Sequence, residues 1–366
     1  MNITNLFDPW LIGDIELKNR IVMAPMTRSR SDNEEHAAPE LTAKYYGQRA
    51  TAGLIVTEGT VISEDAVGFP NVPGIYNQEQ VEGWRLSTSA VHEKGGKIFA
   101  QLWHTGANSH PDHHNGLAPL APSAYNPNIK VFSPTGFKES ETARAMTLED
   151  IKKTVSDFKK AAINAFEAGF DGVELHGANG YLLQQYFSKN SNFRTDEYGG
   201  SVENRARILF DILDELKDVV DIKRVAIRLN PSLNGIMGIL VDDETIKLYD
   251  YIVNRLNDYG LAYIHLIEPF TDVTAITEAI QEVAKHFRKI YKGTIIINRA
   301  FNKETATKVL SDGDADLVSF GVLFIANPDL VERFRTNAAL NAPDQNTFYT
   351  PGEKGYTDYP SLSEKP

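Results

Sequence analysis

Residues 172–181 read Gly-Val-Glu-Leu-His-Gly-Ala-Asn-Gly-Tyr, a short, mostly apolar run that ends in three polar side chains. The apolar half has the length and composition of a strand that is buried in a parallel sheet. His176, Asn179 and Tyr181 lie at the end of that strand or just after it, which is where catalytic groups of β/α barrels lie. An imidazole, an amide and a phenol held close together can bind an oxygen atom and supply a proton.

Working outward from this stretch, the chain alternates between short apolar runs and segments with helical periodicity. Predicted strands cover residues 21–28, 54–63, 97–106, 172–179, 224–231, 263–269, 294–301 and 317–325. Predicted helices include residues 151–169, 203–220, 244–259 and 274–291, and Thr147 is placed to cap the first of these. Strict strand–helix alternation predicts an α/β fold, a closed (β/α)8 TIM barrel.

Two segments interrupt the alternation. Residues 104–146, after the third strand, are rich in His, Pro, Asn and Ser and have no strong helical period, and residues 184–200 form a shorter excursion after the fourth strand. Long loops of this kind in compact domains usually serve function. The sequence has no interdomain linker or internal repeat, so residues 1–366 are expected to form a single domain.

The composition excludes several classes of protein. The chain has 42% hydrophobic residues and no apolar run of membrane-spanning length, and its N-terminus does not resemble an export signal, so a cytoplasmic location is expected. It contains no cysteine, which excludes disulfides, thiolate nucleophiles and cysteine-ligated metal centres. A net charge of −12 argues against nucleic acid or an anionic membrane as a partner.

The residues at the eight predicted strand ends would meet at one mouth of the barrel. They are residues 24–28, 57–60, 101–104, 176–181, 228–230, 268, 298–300 and 319–322. They include no lysine, which disfavours a Schiff-base aldolase, and no His, Asp or Glu group at metal-ligand spacing, which disfavours a metal-dependent hydrolase. Amides, a guanidinium and an imidazole instead suit a flat heteroaromatic cofactor.

Two features extend the cofactor prediction. Gln101 can both donate and accept hydrogen bonds, and Arg228 can place positive charge beside a reduced, anionic ring. Barrels often bind phosphate at the loops after strands seven and eight, with the help of a short helix. Gly321 allows close approach of the backbone there, and residues 327–329 (Asn-Pro-Asp) are predicted to begin such a helix.

Five segments together resemble the old yellow enzyme family, and within it the bacterial pentaerythritol tetranitrate and N-ethylmaleimide reductases. They are residues 23–28, 101–106, 176–181, 194–205 and 355–360, the last reading Gly-Tyr-Thr-Asp-Tyr-Pro. The resemblance runs essentially end to end. It implies a barrel that holds FMN non-covalently and uses NADPH or NADH to reduce activated C=C bonds of enones, enals, maleimides and nitroalkenes, and often nitrate esters. Relatives span monomers and homodimers.

The resemblance also implies roles for individual positions. In the order of the chain, the cofactor residues are Pro25, Met26, Thr27, Gly59, Gln101 and Arg228. His176 and Asn179 match the pair that binds the carbonyl or nitro oxygen of the substrate, and Tyr181 matches the donor of the proton after hydride transfer from flavin N5 to the β-carbon. The expected walls of the substrate pocket are Phe69, Trp103, Arg144 and Tyr349. No metal is implied.

The chain departs from the family pattern at two positions, and a third position shows which branch of the family it matches. The family usually has Gly-Arg after strand eight, where the arginine binds the FMN phosphate, but this chain has Gly321-Val322. We therefore hypothesise that Arg299 supplies the charge, aided by the backbone amides of Ala300, Gly321 and Val322. Phe69 stands where close relatives have a tyrosine. Thr27 stands where one branch of the family has a cysteine, so the chain matches the ordinary branch.

Three alternative functions differ in the chemistry they require. A trimethylamine-type dehydrogenase needs an iron–sulfur cluster, which a chain without cysteine cannot hold. A glycosidase or metal-dependent hydrolase would use Glu58 with Glu268, or the loop histidines His104, His110, His113 and His114. Structural hydrogen bonding suits the carboxylates at least as well, and solvent exposure suits the histidines better. The third alternative is a flavin-binding protein without catalytic activity.

Overall fold

Eight parallel strands close into a barrel at the centre of the computed structural model, which describes residues 5–364. In chain order the described strands are β1 (Trp10–Ile12), β2 (Ile15–Leu17), β3 (Ile21–Met23), β4 (Leu54–Val61), β5 (Ile98–Trp103), β6 (Leu120–Ala121), β7 (Lys130–Ser133), β8 (Gly136–Glu139), β9 (Arg144–Ala145), β10 (Gly172–Gly177), β11 (Val225–Leu229), β12 (Tyr263–Ile267), β13 (Ile295–Asn298) and β14 (Leu317–Phe320). The barrel consists of β3, β4, β5 and β10 to β14, each paired with its neighbours in chain order, and β14 pairs with β3. The predicted TIM barrel is confirmed.

Helices follow the barrel strands and cover the outside of the barrel. They are α1 (Glu40–Gln48), α2 (Gln78–His92), α3 (Leu148–Glu167), α4 (Leu182–Phe187), α5 (Val202–Lys217), α6 (Thr245–Leu256), α7 (Val283–Arg288), α8 (Lys303–Ser311), α9 (Val322–Ala326) and α10 (Leu330–Thr336). Short 3-10 turns lie at Glu64–Ala66, Pro111–His113, Ile222–Arg224, Gln345–Thr347 and Leu362–Glu364. In residues 5–364, no helix is both long and apolar enough to cross a membrane.

The inside of the barrel is apolar at the end where the strands begin. Hairpin β1–β2 packs Ile12, Ile15 and Leu17 against inward-facing residues such as Val22 and Phe99. Outward-facing residues of the same strands form the larger core with the helices, since successive side chains of a strand point to opposite faces. The hairpin therefore fills one end of the barrel and leaves the opposite end for polar residues.

Several predicted strands are too long at their carboxyl ends. Residues 317–325 were predicted as one strand, but β14 ends at Phe320 and helix α9 begins at Val322. Phe324, Ile325 and Ala326 are buried in that helix, and a short apolar run does not distinguish a buried helix from a strand. The predicted first strand, residues 21–28, likewise ends at Met23.

The predicted helix at residues 274–291 is wrong in its first half, because α7 covers only Val283–Arg288. The carboxylate of Glu268 accepts hydrogen bonds from the backbone N–H groups of Val283, at 2.8 Å, and Ala284, at 3.1 Å. A carboxylate that receives the first free N–H groups of a helix stabilises its start at that point. Glu268 therefore has a structural role.

The excursion at residues 104–146 contains short strands. Strands β7 and β8 form an antiparallel hairpin, and β6 pairs in parallel with β9. The excursion at residues 184–200 begins inside α4. Thr147 accepts a hydrogen bond from the backbone of Asp150 and so begins α3 with a capping box, as the sequence predicted.

Candidate active site

A cavity of about 320 Å³ opens where the barrel strands end, and this volume is typical of a small-molecule site. Its walls are formed by Pro25, Thr27, Gly59, Phe69, Gln101, Trp103, His176, Asn179, Tyr181, Arg228, Met237 and Tyr349. All of these except Met237 were predicted site residues. The fold therefore brings together side chains from the ends of the first five barrel strands and from the C-terminal segment.

His176 is a neutral hydrogen-bond donor in this cavity. Burial, followed by the positive charge of Arg228, lowers the pKa of His176 well below its ordinary value. The backbone N–H of Ala178 donates to Nδ1 of His176 at 3.3 Å. Because a neutral imidazole has one acceptor nitrogen and one donor nitrogen, the proton lies on Nε2.

Asn179 is held in an orientation that complements His176. Its backbone has a φ of 56°, a left-handed conformation that asparagine tolerates better than most residues. The buried Asn230 donates from Nδ2 to Oδ1 of Asn179 at 3.1 Å. In this arrangement Nδ2 of Asn179 has no partner in the described chain and can donate to a ligand. Sequence reasoning missed Asn230 as the partner of Asn179.

Tyr181 precedes helix α4 and packs among the aromatic residues of the cavity. Its ring makes edge-on contacts with Trp103 and His176, each at 4.9 Å between centroids. Burial, followed by the nearby Tyr349, raises the pKa of the Tyr181 phenol far above its ordinary value. The phenol is therefore protonated at neutral pH and can act as a proton donor.

Trp103 and Tyr349 both line the cavity but differ in solvent exposure and in what holds them in place. Trp103 is buried and depends on Gly59, because a Cβ at position 59 would lie 2.5 Å from the indole Cε3. Tyr349 is 54% exposed and belongs to a C-terminal segment. Phe348, the residue before Tyr349, accepts hydrogen bonds at its backbone carbonyl from Arg28 at 3.1 Å and Arg30 at 2.7 Å. The segment that carries Tyr349 is thus tied to the loop after the first barrel strand.

Met237 is a cavity residue that the sequence did not reveal. It lies in the loop after β11 with a φ of 53°, and a Cβ at Gly180 would lie 2.6 Å from its own Cβ. The flexible, polarisable thioether can fit ligands of different shapes. Its position after a barrel strand was a weak signal, since many loop residues share that position.

A polar layer lies inside the barrel, on the strands that carry the cavity residues. Gln101 Nε2 donates to Glu174 Oε1 at 2.8 Å, and Arg228 donates to Asn298 Oδ1 at 2.9 Å. His265 Nδ1 lies 2.8 Å from the second oxygen of Glu174. Sequence reasoning missed Glu174 and His265. The available signal was the presence of ionisable residues inside two mostly apolar strands.

The residues expected at the phosphate lie together after β13 and β14. Arg299 has a φ of 145°, and its guanidinium carbon lies 5.2 Å from the ring centre of Phe270. One of its buried nitrogens has no hydrogen-bond partner in the described chain, as expected of a donor reserved for an anion. Residues 327–329 do begin a short helix, since Asp329 directly precedes α10, but the helix nearest the end of β14 is α9, which begins directly after Gly321.

The structure places Arg144 outside the cavity. Arg144 forms two hydrogen bonds with Asp150, at 2.8 and 3.1 Å, and borders a separate depression of about 710 Å³. Phe69 contributes to both spaces. The larger depression is formed mainly by surface loops. In residues 5–364, no three His, Cys, Asp or Glu side chains are grouped as metal ligands.

Glu58 is likewise structural. It is buried, and its carboxylate accepts from the backbone N–H groups of Arg28, at 3.0 Å, and Ser29, at 3.4 Å. Burial raises its pKa to about 7. Its hydrogen bonds orient the loop that follows Thr27, and Glu268 caps α7, so the two carboxylates do not form a glycosidase pair.

The donor set of the cavity fits a flavin. Two buried nitrogens of lining residues, Arg228 Nε and Trp103 Nε1, have no hydrogen-bond partner in the described chain, and buried donors normally have one. Gln101 and Thr27 add an amide and a hydroxyl beside the guanidinium. These donors at a barrel mouth fit a flavin-dependent oxidoreductase.

Comparisons with known proteins agree. The sequence profile of the NADH:flavin oxidoreductase / NADH oxidase family matches residues 5–341. Putative 12-oxophytodienoate reductase 2 of Oryza sativa subsp. japonica is 43% identical, over 98% of this chain and 94% of that protein. The old yellow enzyme homologue of Zymomonas mobilis is 41% identical with a TM-score of 0.93, over 98% and 99% of the two chains. Morphinone reductase in complex with tetrahydroNAD is 42% identical with a TM-score of 0.91, over 98% of each chain.

The chain therefore belongs to the old yellow enzyme family within the NADH:flavin oxidoreductases. It is an FMN-dependent ene-reductase that uses a nicotinamide cofactor as its electron donor.

Proposed function

We propose that the protein reduces C=C bonds that are activated by a carbonyl or nitro group, with small enones, enals, maleimides and nitroalkenes as substrates and NADPH or NADH as donor. The observation that carries the proposal is the placement of two neutral hydrogen-bonding groups, His176 and Asn179, beside the protonated phenol of Tyr181 in one cavity. The names of two relatives, 12-oxophytodienoate reductase and morphinone reductase, denote reductases of oxo compounds.

We assign FMN binding to residues on the first, second, third, fifth, seventh and eighth barrel strands and the loops that follow them. For the ring they are Pro25, Thr27, Gly59, Gln101 and Arg228, which line the cavity, and Met26, which lies beside Gly321. For the phosphate they are Arg299, which has an unpartnered nitrogen, and, from the family resemblance, Ala300, Gly321 and Val322. When bound, FMN supplies the redox chemistry: it takes hydride from NAD(P)H and passes hydride to the alkene. The protein supplies orientation and charge.

The donor pair stabilises negative charge that develops on the activating oxygen of the alkene. His176 and Asn179 carry no charge themselves, so their hydrogen bonds strengthen as the oxygen becomes anionic. Preorganised donors of this kind are each worth about 3–4 kcal/mol in the transition state. The burial of His176 matters because a protonated imidazole would hold the oxygen in the ground state as well.

Tyr181 protonates the α-carbon once charge has moved onto the substrate. Its ring is locked by contacts with Trp103 and His176, so the hydroxyl is presented to the cavity in one orientation. A positioned general acid contributes about 100- to 10,000-fold. Phe69, Trp103, Met237 and Tyr349 restrict the shape of the substrate.

Stopped-flow oxidation of the NADPH-reduced holoenzyme tests the proposal. The panel consists of cyclohexenone, cinnamaldehyde, N-ethylmaleimide, nitrostyrene and a nitrate ester, with cyclohexene as the unactivated control. We expect every activated alkene to oxidise the enzyme with a rate that saturates, and cyclohexene to leave it reduced. Oxidation by oxygen alone, with no alkene response, would contradict the proposal and favour a catalytically silent flavoprotein.

A further inference from the structure

Glu174 is a carboxylate enclosed inside the barrel, next to the residues that line the cavity. It is 0% exposed and precedes His176 by two positions on β10, so both side chains point inward. In the register of the sheet it lies opposite Gln101 on one side and Ala226 on the other. A buried carboxylate is costly unless several donors satisfy it.

The surroundings of Glu174 hold it in the ionised state. Burial raises its pKa, but the interaction with His265, the attraction of Arg228 and the hydrogen bond from Gln101 outweigh that effect, so its pKa lies below the ordinary value. Burial lowers the pKa of His265. A carboxylate can only accept, so the neutral His265 donates from Nδ1, and its Nε2 accepts from Ser319 Oγ at 2.8 Å.

Glu174 fixes the orientation of the side-chain amide of Gln101. An isolated glutamine could present either its oxygen or its nitrogen to a ligand. Because Glu174 only accepts, Nε2 of Gln101 must face it, at 2.8 Å. The amide oxygen of Gln101 is then free to accept a hydrogen bond from a ligand in the cavity. Glu174 therefore determines which atoms Gln101 offers.

Glu174 also affects the positive field of Arg228. Glu174 and Arg228 attract each other, and His265 is neutral. The other polar partners are uncharged: Asn298 binds Arg228, and Ser319 binds His265. The negative charge of Glu174 thus offsets part of the positive field that Arg228 directs at the cavity, in a medium where charges are screened weakly.

We propose that Glu174, supported by His265, is a positioning residue that orients Gln101 and limits the positive field of Arg228 at the bound FMN. The proposal rests on the assignment of Gln101 and Arg228 to the FMN ring. Two-electron-reduced FMN carries an additional negative charge on the ring, so an uncompensated Arg228 would favour the reduced form. Glu174 keeps the reduction potential low enough for hydride to leave readily toward the alkene.

The reduction potential of the bound FMN, measured by equilibration with reference dyes, tests the charge effect. In Glu174→Gln we expect the affinity for reduced FMN, relative to oxidised FMN, to rise about tenfold, which for a two-electron couple is a positive shift of about 30 mV. If the affinity for reduced FMN relative to oxidised FMN stayed within twofold of the wild-type value, the proposal would be overturned. This readout does not depend on turnover.

Glu174→Asp separates positioning from charge. The shorter side chain keeps the negative charge but lies farther from Gln101. The affinity for reduced FMN relative to oxidised FMN should therefore change by less than twofold. The affinity of the apoprotein for oxidised FMN should fall about three- to tenfold, the size of one hydrogen bond. Glu268→Gln is the matched control: it neutralises a carboxylate that caps α7 outside the cavity and should change neither quantity.

A second pair of variants covers the case in which Glu174→Gln does not fold. Arg228→Gln leaves Glu174 uncompensated and should lower the potential, while Arg228→Gln with Glu174→Gln removes both charges and should restore it toward the wild type. Replacing both members of a buried pair is tolerated better than replacing one. Equal potentials in these two variants would overturn the proposal. Wild-type apoprotein that takes up no FMN would instead overturn the cofactor assignment itself.

Discussion

The side chain of Asn230 donates a hydrogen bond to Oδ1 of Asn179 at 3.1 Å, and this contact determines what the cavity offers to a substrate. Asn230 is buried at the end of β11, whereas Asn179 follows β10. The two strands are neighbours in the barrel. A substrate oxygen is therefore met by the N–H of Asn179 because a residue 51 positions away occupies its C=O.

Asn230→Asp should reverse the amide of Asn179. A carboxylate at position 230 can only accept, so Nδ2 of Asn179 would turn toward it and the amide oxygen would face the substrate. We expect kcat for cyclohexenone to fall about 100-fold, the effect of losing one oxyanion donor. Asn126→Asp is the control, because Asn126 is a loop amide bonded to Ser140. Equal kcat values for the two variants would contradict this account of Asn179.

Tyr181→Phe should slow oxidation by alkenes and spare reduction by NADPH. Phenylalanine keeps the ring contacts with Trp103 and His176 but removes the proton, so the alkene step should slow by about 100-fold or more. Stopped-flow measurement of the two half-reactions separates them. Tyr186→Phe, on α4 and bonded to Met146, should change neither, and a similar loss in that variant would point to a structural cause.

The pH dependence of the alkene step follows from the same residue. Burial raises the pKa of Tyr181, so the phenol keeps its proton through the pH at which a free tyrosine ionises, about 10. We expect the stopped-flow rate of alkene reduction to remain constant up to that pH. A decline in the wild type between pH 8 and 9 that Tyr181→Phe lacks would show that the phenol ionises early.

Arg299→Ala should weaken the binding of FMN through its phosphate. Removing a charged hydrogen bond costs about 1.5–3 kcal/mol, so the Kd for FMN should rise at least tenfold and depend less on salt. Riboflavin, which lacks the phosphate, should bind both proteins equally. Arg85→Ala, which removes a surface charge on α2, is the control. An unchanged Kd and salt dependence for FMN would assign the phosphate to backbone amides alone.

Acid should destabilise the fold through His104, which is buried and not solvent-exposed as the sequence predicted. Burial lowers the pKa of His104 to about 3, whereas an unfolded histidine titrates near 6.5. Between these values the unfolded state binds more protons, so the free energy of unfolding falls as the pH decreases. His104→Asn should make this fall shallower by about 1 kcal/mol per pH unit between pH 5 and 6, measured by urea unfolding.

The contacts of His104 indicate how stable the His104→Asn variant should be at neutral pH, where the acid effect is absent. Its Nδ1 accepts from the backbone of Gly106 at 3.1 Å, and its Nε2 has no hydrogen-bond partner in the described chain. Asparagine can retain the first contact and loses nothing at the second. At pH 7 the variant should be less stable than the wild type by about 1 kcal/mol, because a smaller side chain replaces a buried ring, and an identical slope in acid would show that His104 does not contribute to the pH dependence.

The barrel was predictable because each strand carries its own signal. A strand buried on both faces is apolar throughout, and the eight runs alternate with helical periods. The carboxyl ends of the strands were predicted less well, because strand pairing stops where the loops at the mouth of the barrel begin. In addition, the apolar residues of α9 resemble a continuation of β14. The helix at 274–291 was overextended because its start depends on the distant carboxylate of Glu268.

His176, Asn179 and Tyr181 could be read from the sequence because they follow one another within six residues of a single strand end. Residues this close in sequence lie close in space regardless of how the other elements of the chain pack. What each of them offers chemically depends on contacts between strands: Asn230 orients Asn179, and Glu174 orients Gln101. Strand register and loop conformation determine those contacts, and these arise only when the barrel closes. The sequence alone therefore determined the barrel and the identity of its polar residues, while the tertiary structure decided their orientation, added Met237 to the cavity and left Arg144 outside it.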